Sequence, residues 1–188
     1  MLSRSYRSCK GAPVQRQRGF TLIELLVTLI VLAVILAIAV PGLSTFVSNS
    51  RLRATQSEIV SALTLARSEA TKRGGEVVVR ALGTVAGSEF LGGWQVFSDT
   101  NGDGLYDAGE PVIREYAPLG TQLRFSAVVG TSTTAATRAR FNARGFLTPV
   151  PATELNFKIC GPAGSTKSYS IRLEPVGLAD VVEGDSCT

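Results

Sequence analysis

The stretch RQRGFTLIELLVTLIVLAVILAIAVPG, from Arg16 to Gly42, decides how this chain is organised. Within residues 20–40, the only side chains able to form hydrogen bonds are those of Thr21, Glu24 and Thr28. As an α-helix, this run of about 21 residues spans roughly 31 Å, which is the thickness of a bilayer core. We therefore expect a membrane-spanning helix that carries one carboxylate, Glu24, close to its start.

Basic residues are concentrated before this run. No acid precedes Phe20, whereas five bases do: Arg4, Arg7, Lys10, Arg16 and Arg18. From Phe20 onward the acids slightly outnumber the bases, so the formal net charge of +4 belongs to the leader. A basic leader keeps its end of an apolar segment in the cytoplasm. We therefore expect everything after Gly42 to lie across the membrane.

Three cysteines bear on the redox environment. Cys9 lies in the basic leader, whereas Cys160 and Cys187 lie near the C-terminus. If the leader stays inside or is removed, an even pair remains on the oxidising side. Such a pair predicts a disulfide that closes a loop of about 28 residues and stabilises the fold by roughly 3–4 kcal/mol. Two unpaired thiols are the alternative.

Three ordinary explanations of the apolar segment leave Glu24 without a use. A cleaved secretory signal peptide fits the basic leader and the small residues Ala37–Ala39, but the apolar run exceeds the usual length. In a plain membrane anchor, Glu24 would raise the free energy of membrane insertion by about 2.5–3.5 kcal/mol and would have no function. A buried helix of a soluble protein does not explain the all-round hydrophobicity or the one-sided basic leader.

The segment RGFTLIELLVTLIVLAVILAIAVPG resembles the N-terminus of type IV prepilins and pseudopilins. Those families carry a short basic leader that ends in Gly, followed by Phe and Thr-Leu-Ile-Glu, which here are Gly19 through Glu24. The resemblance implies cleavage by prepilin peptidase between Gly19 and Phe20, and N-methylation of the new Phe20 terminus. Cleavage creates a positive amine, with which Glu24 of a neighbouring subunit can pair in an assembling filament. We therefore expect Glu24 to act in assembly and not in catalysis.

Beyond the apolar run, the sequence predicts a second helical half followed by strands. Pro41-Gly42 is expected to break or kink the helix, and Gly74-Gly75 is expected to end it. Apolar residues recur between them at helical spacing. These residues are Leu52, Ile59, Leu63, Ala66 and Ala70.

Short β-like runs separated by turn residues fill the chain after Gly75. The predicted strands are Glu76–Leu82, Trp94–Ser98, Val112–Tyr116, Gln122–Ala127, Arg138–Asn142, Leu155–Cys160, Tyr169–Leu173 and Leu178–Val182. The expected fold is α+β and pilin-like. It has a long N-terminal helix, with a transmembrane half and an amphipathic half, packed on a C-terminal antiparallel β-sheet domain.

The whole chain more narrowly resembles the GspH/FimT/FimU-like minor pilin (pseudopilin) family. The resemblance is carried, in chain order, by GGWQVFSDTNGDGLYDAGEPVIR, FNARGFLTP, FKIC and a late GLADVV before Cys187. It implies a cleaved basic leader over residues 1–19 and a transmembrane and polymerisation helix over residues 20–41. The amphipathic half of the helix then covers residues 42–75, and a periplasmic β-rich GspH-like domain covers residues 76–188.

The run DTNGDGLYDAGE satisfies the pattern of an EF-hand calcium loop. Its side-chain and glycine positions are Asp99, Asn101, Asp103, Gly104, Asp107 and Glu110, with Leu105 offering a carbonyl. The flanking runs predict strands and not helices, and Asn-Gly and Asp-Gly also supply turns. A polar loop that joins two strands is therefore the alternative to a site for bound Ca²⁺.

Some FimT-like minor pilins take up DNA through a Gly-Arg-x-Arg motif, which by resemblance maps to residues 177–180. Gly177 matches, but Leu178 and Asp180 stand where the arginines would be. The tail after Arg172 has acids and no base, and such a tail repels phosphate. The remaining candidate for nucleic-acid binding is the cluster of Arg138, Arg140 and Arg144. Strand alternation puts the first two on one face, and a solvated strand and turn is the alternative.

These features favour a structural subunit over an enzyme. The chain has no histidine, and Ser165 and Lys167 form no specific catalytic constellation. The predicted function is that of a minor type IV pilin, which is incorporated into a pilus or primes its assembly. Pilus biogenesis, twitching motility, adhesion or DNA uptake would depend on it.

Two alternatives stay open. One is an H-type pseudopilin of a type II secretion system, and the other is a membrane-anchored binding module that would remain uncleaved at Gly19. Apart from the Ca²⁺ considered above, no cofactor is expected. The expected partners are other pilins or pseudopilins, the prepilin peptidase and N-methyltransferase, and the bacterial inner membrane.

Overall fold

One long helix, α1 (Leu22–Arg73), opens the computed structural model, which describes residues 19–120, 123–149, 153–162 and 167–184. The chain divides between Leu43 and Ser44 into two units. The helical backbone nevertheless runs through Pro41-Gly42 without interruption, so the predicted helix break there is corrected. A proline removes one backbone donor, and the hydrogen bonds of the turns on either side are enough to continue the helix.

The N-terminal part of α1 is apolar and exposed. Residues 22–39 form a stretch that is long and apolar enough to cross a membrane, and none of it is buried within the described residues. Its leucine, isoleucine and valine side chains keep about half or more of their surface accessible. A surface of this kind needs lipid or protein to cover it.

The C-terminal half of α1 has the predicted amphipathic character. Its apolar positions at helical spacing are all essentially inaccessible to solvent: Leu52, Ile59, Leu63, Ala66 and Ala70. The helix ends as predicted, because Gly74 adopts a φ of 65° and the Gly75 N–H donates to the Ala70 carbonyl at 3.3 Å. This is the Schellman arrangement, which satisfies a carbonyl of the last turn.

All eight predicted strands are present in the described chain, with boundaries displaced by at most two residues. They are β1 (Glu76–Ala81), β2 (Trp94–Asp99), β3 (Val112–Tyr116), β4 (Arg124–Val129), β5 (Arg138–Phe141), β6 (Leu155–Cys160), β7 (Ser168–Leu173) and β8 (Ala179–Gly184). A short 3-10 helix, Glu89–Gly92, lies between β1 and β2 and was not predicted.

The strands form two antiparallel sheets and not the one sheet expected. One sheet has the order β3-β2-β1-β5 and the other has the order β4-β6-β7-β8. In chain order, β1 to β3 belong to the first sheet and β4 to the second. Strand β5 belongs to the first sheet again, and β6 to β8 belong to the second. The α+β, pilin-like fold class is confirmed, with a second sheet in addition.

The core lies between the two sheets and the second half of α1. It contains an aromatic cluster in which the rings of Phe90 and Phe125 stack with centroids 5.2 Å apart, and those of Trp94 and Tyr116 stack at 5.1 Å. Phe157 meets Phe90 edge-on at 5.4 Å. Such pairs add about 0.5–1.5 kcal/mol each beyond the area that they bury. Within the described chain, every residue of this core lies between Leu52 and Leu173.

Candidate functional site

The residues around the predicted cleavage point are non-helical and exposed. Gly19, Phe20 and Thr21 precede α1, and the Thr21 hydroxyl accepts a hydrogen bond from the Glu24 N–H at 3.3 Å. The Thr21 carbonyl accepts from the Leu25 N–H at 3.2 Å. A threonine that caps in this way fixes the start of a helix. The Gly19–Phe20 peptide bond therefore lies outside the helix, where a peptidase can reach it.

The fold itself does not require glycine at position 19. Gly19 does not adopt a positive φ, and a Cβ built on it would meet no atom within 4 Å. A Cβ there would not clash with the described part of the chain. Any requirement for glycine at this position must come from a molecule that acts on the segment.

The Glu24 carboxylate is exposed at the start of the apolar stretch. Its backbone N–H serves the helix cap, but the carboxylate receives no hydrogen bond from the described part of the chain. The apolar side chains around it are also open, with Phe20 and Leu22 more than 80% exposed. An acid in such surroundings becomes costly when they are buried, unless a positive group arrives with the covering surface.

The acidic loop runs from Asp99 to Glu110 and joins β2 to β3. The Asp99 side chain is fully buried, and its two oxygens accept from the Gly102 and Gly104 N–H groups, each at 2.7 Å. At the other end, Glu110 accepts from the Thr100 N–H at 2.7 Å and the Asp107 N–H at 3.1 Å. The two terminal acids thus support the backbone of the loop.

Glu110 stays ionised although it is buried. Burial alone raises the pKa of its carboxyl, but hydrogen bonds from the Thr100 N–H, the Asp107 N–H and the Thr100 hydroxyl outweigh that effect. The pKa of Glu110 therefore lies below its ordinary value. A carboxylate that accepts several backbone hydrogen bonds is stabilised in its charged form.

The predicted calcium ligands do not assemble into a metal site. Among the described residues, no group of three or more acidic, histidine or cysteine side chains is placed to hold a metal ion. Asn101 Nδ2 instead bridges Asp103, at 3.2 Å, and Asp107, at 2.8 Å. The Leu105 N–H donates to Asp103 at 2.7 Å. The spacing matches the calcium pattern, several of its carboxylates accept hydrogen bonds from amide groups of the loop, and bound Ca²⁺ stays a prediction.

Arg138 and Arg140 lie against this loop and not in a free basic patch. Arg138 Nη1 donates to the Gly104 carbonyl at 2.8 Å. Arg140 Nη2 donates to the Gly102 carbonyl at 2.7 Å and to Glu76 Oε2 at 2.6 Å. The two arginines share one face of β5, as strand alternation predicts.

The predicted nucleic-acid cluster stays a prediction, but two of its three arginines have partners within the domain. Arg140 forms an ion pair with Glu76, whereas Arg138 is exposed and has no acid within ion-pair distance among the described residues. Arg144 lies in the exposed turn after β5, where its backbone N–H donates to Asn142 Oδ1 at 2.9 Å. The local charge count in the sequence suggested a patch, but the loop carbonyls and the Glu76 carboxylate that these arginines bind are 34 or more residues away along the chain.

Gly177, the residue that matches the DNA-binding motif, has a structural role. It adopts a φ of 78°, and a Cβ on it would lie 2.2 Å from the Gly145 carbonyl oxygen and 3.2 Å from the Arg67 side chain. Arg67 of α1 donates from Nε to the same Gly145 carbonyl at 3.2 Å. Arg67 thus ties two loops to the helix, a role that local sequence spacing does not reveal.

Cys160, at the end of β6, is disulfide-bonded. Its predicted partner, Cys187, lies outside the described residues, so the pairing stays a prediction. Cys160 pairs with Ser168 across the sheet, and Ser168 pairs with Gly184. Two strand spacings amount to about 10 Å, and the three residues from Gly184 to Cys187 reach about that far. The sheet geometry therefore supports the proposed bridge.

Lys167, a member of the Ser/Lys pair considered for catalysis, forms an ion pair with Glu183 of β8. Its Nζ lies 2.9 Å from Glu183 Oε1. The hydrogen bond and charge of Lys167, followed by the charge of Arg53, lower the pKa of Glu183. Ser165 lies outside the described residues.

Residues 55–177, about two thirds of the chain, match the family described as Type II transport protein GspH. This chain belongs to the GspH family. Residues 14–40 of the GspH-family chain also match the prokaryotic N-terminal methylation motif. That match contains Gly19, Phe20 and Glu24, the residues assigned above to processing and assembly.

Two solved structures share the fold of the GspH-family chain. The type IV minor pilin FimU of Pseudomonas aeruginosa is 21% identical, with a TM-score of 0.58 over 76% of this chain and 99% of that one. The minor pseudopilin EpsH from the type 2 secretion system of Vibrio cholerae is 13% identical, with a TM-score of 0.51 over 70% of this chain and 96% of that one. No curated protein matches the chain at a significant level.

Proposed function

We propose that this GspH-family chain is a minor type IV pilin, a structural subunit that enters a pilus filament or primes its assembly. The observation that carries the proposal is the contrast between its two units. The domain has a buried core, whereas residues 22–39 expose an apolar surface with one unpaired acid at its start. Lipid covers such a surface before assembly, and neighbouring subunits cover it afterwards.

The proposed route begins at the bacterial inner membrane, with the domain in the periplasm. Prepilin peptidase cleaves the exposed Gly19–Phe20 bond, and methylation of the new terminus follows. The methylation-motif match and the non-helical backbone of these residues support this step. The partners in the filament are other pilins, which contact the N-terminal part of α1.

A pseudopilin of a type II secretion system is the second candidate. The description of the matching family and the EpsH fold favour it. The higher identity and TM-score of the FimU likeness favour the pilus.

Deletion of the gene distinguishes the two systems. For a minor pilin we expect surface pili to fall by at least about tenfold, while secretion of folded proteins is unchanged, because each filament machine depends on its own initiating subunits. The measurements are sheared pili and culture-supernatant proteins, with a plasmid-borne copy of the gene as the control. Normal piliation combined with a loss of secretion would overturn the pilus assignment in favour of the second candidate.

Substitution of Gly19 by valine tests processing. We expect the leader of 19 residues to remain, so that the product runs about 2 kDa above the mature form of this 19.8 kDa chain. The melting temperature of the domain should not change, because position 19 is open.

Gly120→Val is the matched control for the processing test. Position 120 is equally open and has no positive φ, so this variant should be cleaved normally. Complete cleavage of the Gly19→Val chain would contradict the assigned processing site.

A further inference from the structure

We propose that Arg140 is the resident cation of the acidic loop. Its guanidinium group supplies a positive charge beside Asp99, the first ligand position of the calcium pattern, and the loop keeps its shape without calcium. This inference concerns the domain alone and does not depend on which filament the chain enters.

Three oxygen atoms surround one nitrogen of Arg140. Nη2 lies 2.6 Å from Glu76 Oε2, 2.7 Å from the Gly102 carbonyl oxygen and 3.9 Å from Asp99 Oδ2. The set combines two carboxylates with a backbone carbonyl, which are the ligand types that Ca²⁺ takes in proteins. Arg138 binds the Gly104 carbonyl two residues further along the loop. The arginines of β5 therefore occupy the side of the loop toward which these carbonyls point.

The turn at Gly104 fits the guanidinium closely. Gly104 has a φ of 78°, and a Cβ there would lie 2.8–2.9 Å from Arg140 Cδ, Cζ and Nε. Glycine at this position thus serves two purposes, because it permits the turn and lets the arginine approach the loop backbone. The calcium pattern also requires a glycine here for its sharp turn, so the same glycine suits both kinds of loop.

The other acids of the loop also have partners that offset their charge or donate hydrogen bonds to them. Asn101 Nδ2 bridges Asp103 and Asp107, as an ion between two carboxylates would. Asp99 is fully buried, and its only cationic neighbour among the described residues is Arg140. Loss of the guanidinium charge would leave Asp99 and Glu76 as uncompensated carboxylates, and this strongly destabilises a buried pair.

The full chain in detergent micelles allows a direct test. Trp94 is the single tryptophan of the sequence and is fully buried in the domain, so its fluorescence reports unfolding of the domain. Thermal melts are compared in EDTA with matched NaCl and in millimolar CaCl₂. The wild-type chain should melt at the same temperature in both. A rise in its melting temperature with Ca²⁺ would overturn the proposal.

Arg140→Met should melt about 10 °C below the wild-type chain in EDTA. Ca²⁺ should restore part of that loss, because the vacated oxygens then accept the metal. Asp99→Asn added to Arg140→Met should abolish the recovery. Arg140→Met that melts like the wild-type chain, or that gains nothing from Ca²⁺, would contradict the assignment.

Two further variants keep the test decisive if Arg140→Met does not fold. Arg140→Lys retains a positive charge, so it should lose less stability and remain indifferent to Ca²⁺; a rise with Ca²⁺ would count against the proposal. Arg144→Met removes a charge from the exposed turn and should leave both melts unchanged. A Ca²⁺ response in Arg144→Met would show that the metal acts elsewhere, again against the proposal.

Discussion

Glu24→Ala is expected to give a chain that inserts into the membrane and is cleaved after Gly19, yet is depleted from sheared filaments by at least about tenfold. Cleavage leaves a positive amine at Phe20, and packing of subunits moves that amine out of water. In the filament that we propose, the Glu24 carboxylate of a neighbouring subunit compensates it. Without the acid, the amine is buried alone, and this costs several kcal/mol.

The start of α1 should survive this substitution. The Thr21 cap uses the backbone N–H of Glu24 and not its carboxylate, so alanine at position 24 leaves the cap in place. Membrane insertion is also retained, because removal of an acid makes the segment more apolar. The defect is therefore confined to assembly.

Immunoblots of membrane and sheared-filament fractions measure the effect. Glu24→Gln keeps the size of the side chain without its charge and should fail in the same way. Glu58→Ala removes another exposed acid of α1, from the domain half, and should enter filaments normally. Wild-type incorporation of the Glu24→Ala chain would refute the assembly role.

Gly177→Ala is expected to lower the free energy of unfolding of the domain by about 3 kcal/mol. The left-handed backbone alone accounts for roughly 1–2 kcal/mol with an L-residue. The remainder arises because a Cβ would lie 2.2 Å from the Gly145 carbonyl oxygen, so the two loops must separate. Their separation also strains the hydrogen bond from Arg67.

Comparison with Gly87→Ala separates the steric part of that loss from the cost of the left-handed backbone. Gly87 has a φ of 76°, close to that of Gly177, but a Cβ on it would meet no atom within 4 Å. We expect this variant to lose only about 1 kcal/mol. Urea denaturation followed by Trp94 fluorescence measures both losses. Equal losses in the two variants would refute the contact between the loops.

Local patterns in the sequence predict much of this fold. Apolar spacing identified the buried face of α1 from Leu52 to Ala70, and Gly74-Gly75 marked its end, because these signals depend on neighbours within one or two turns. Alternation and turn residues located every strand for the same reason. The break expected at Pro41-Gly42 is wrong, since one missing donor does not end a helix that is well bonded on both sides.

Local sequence patterns do not predict which strands pair or which side chains contact each other. The return of β5 to the first sheet follows from contacts that are distant in sequence, such as Val78 opposite Arg140. The same distance separates Arg140 from the acidic loop, so the sequence did not reveal that Arg138 and Arg140 donate hydrogen bonds to carbonyls of that loop. At the N-terminal segment, Gly19, Phe20 and Glu24 lie within six residues and inside the matched methylation motif, and their roles in processing and assembly stay predictions.

The position of the core makes folding of the domain independent of the apolar stretch at residues 22–39. Every core residue in the described chain lies at Leu52 or beyond, so no residue of the apolar stretch helps to fold the domain. Transfer of that stretch from lipid to a filament changes its surroundings without loosening the domain's interior. For the minor pilin that we propose, entry into a filament and return to the membrane would therefore require no refolding of the domain.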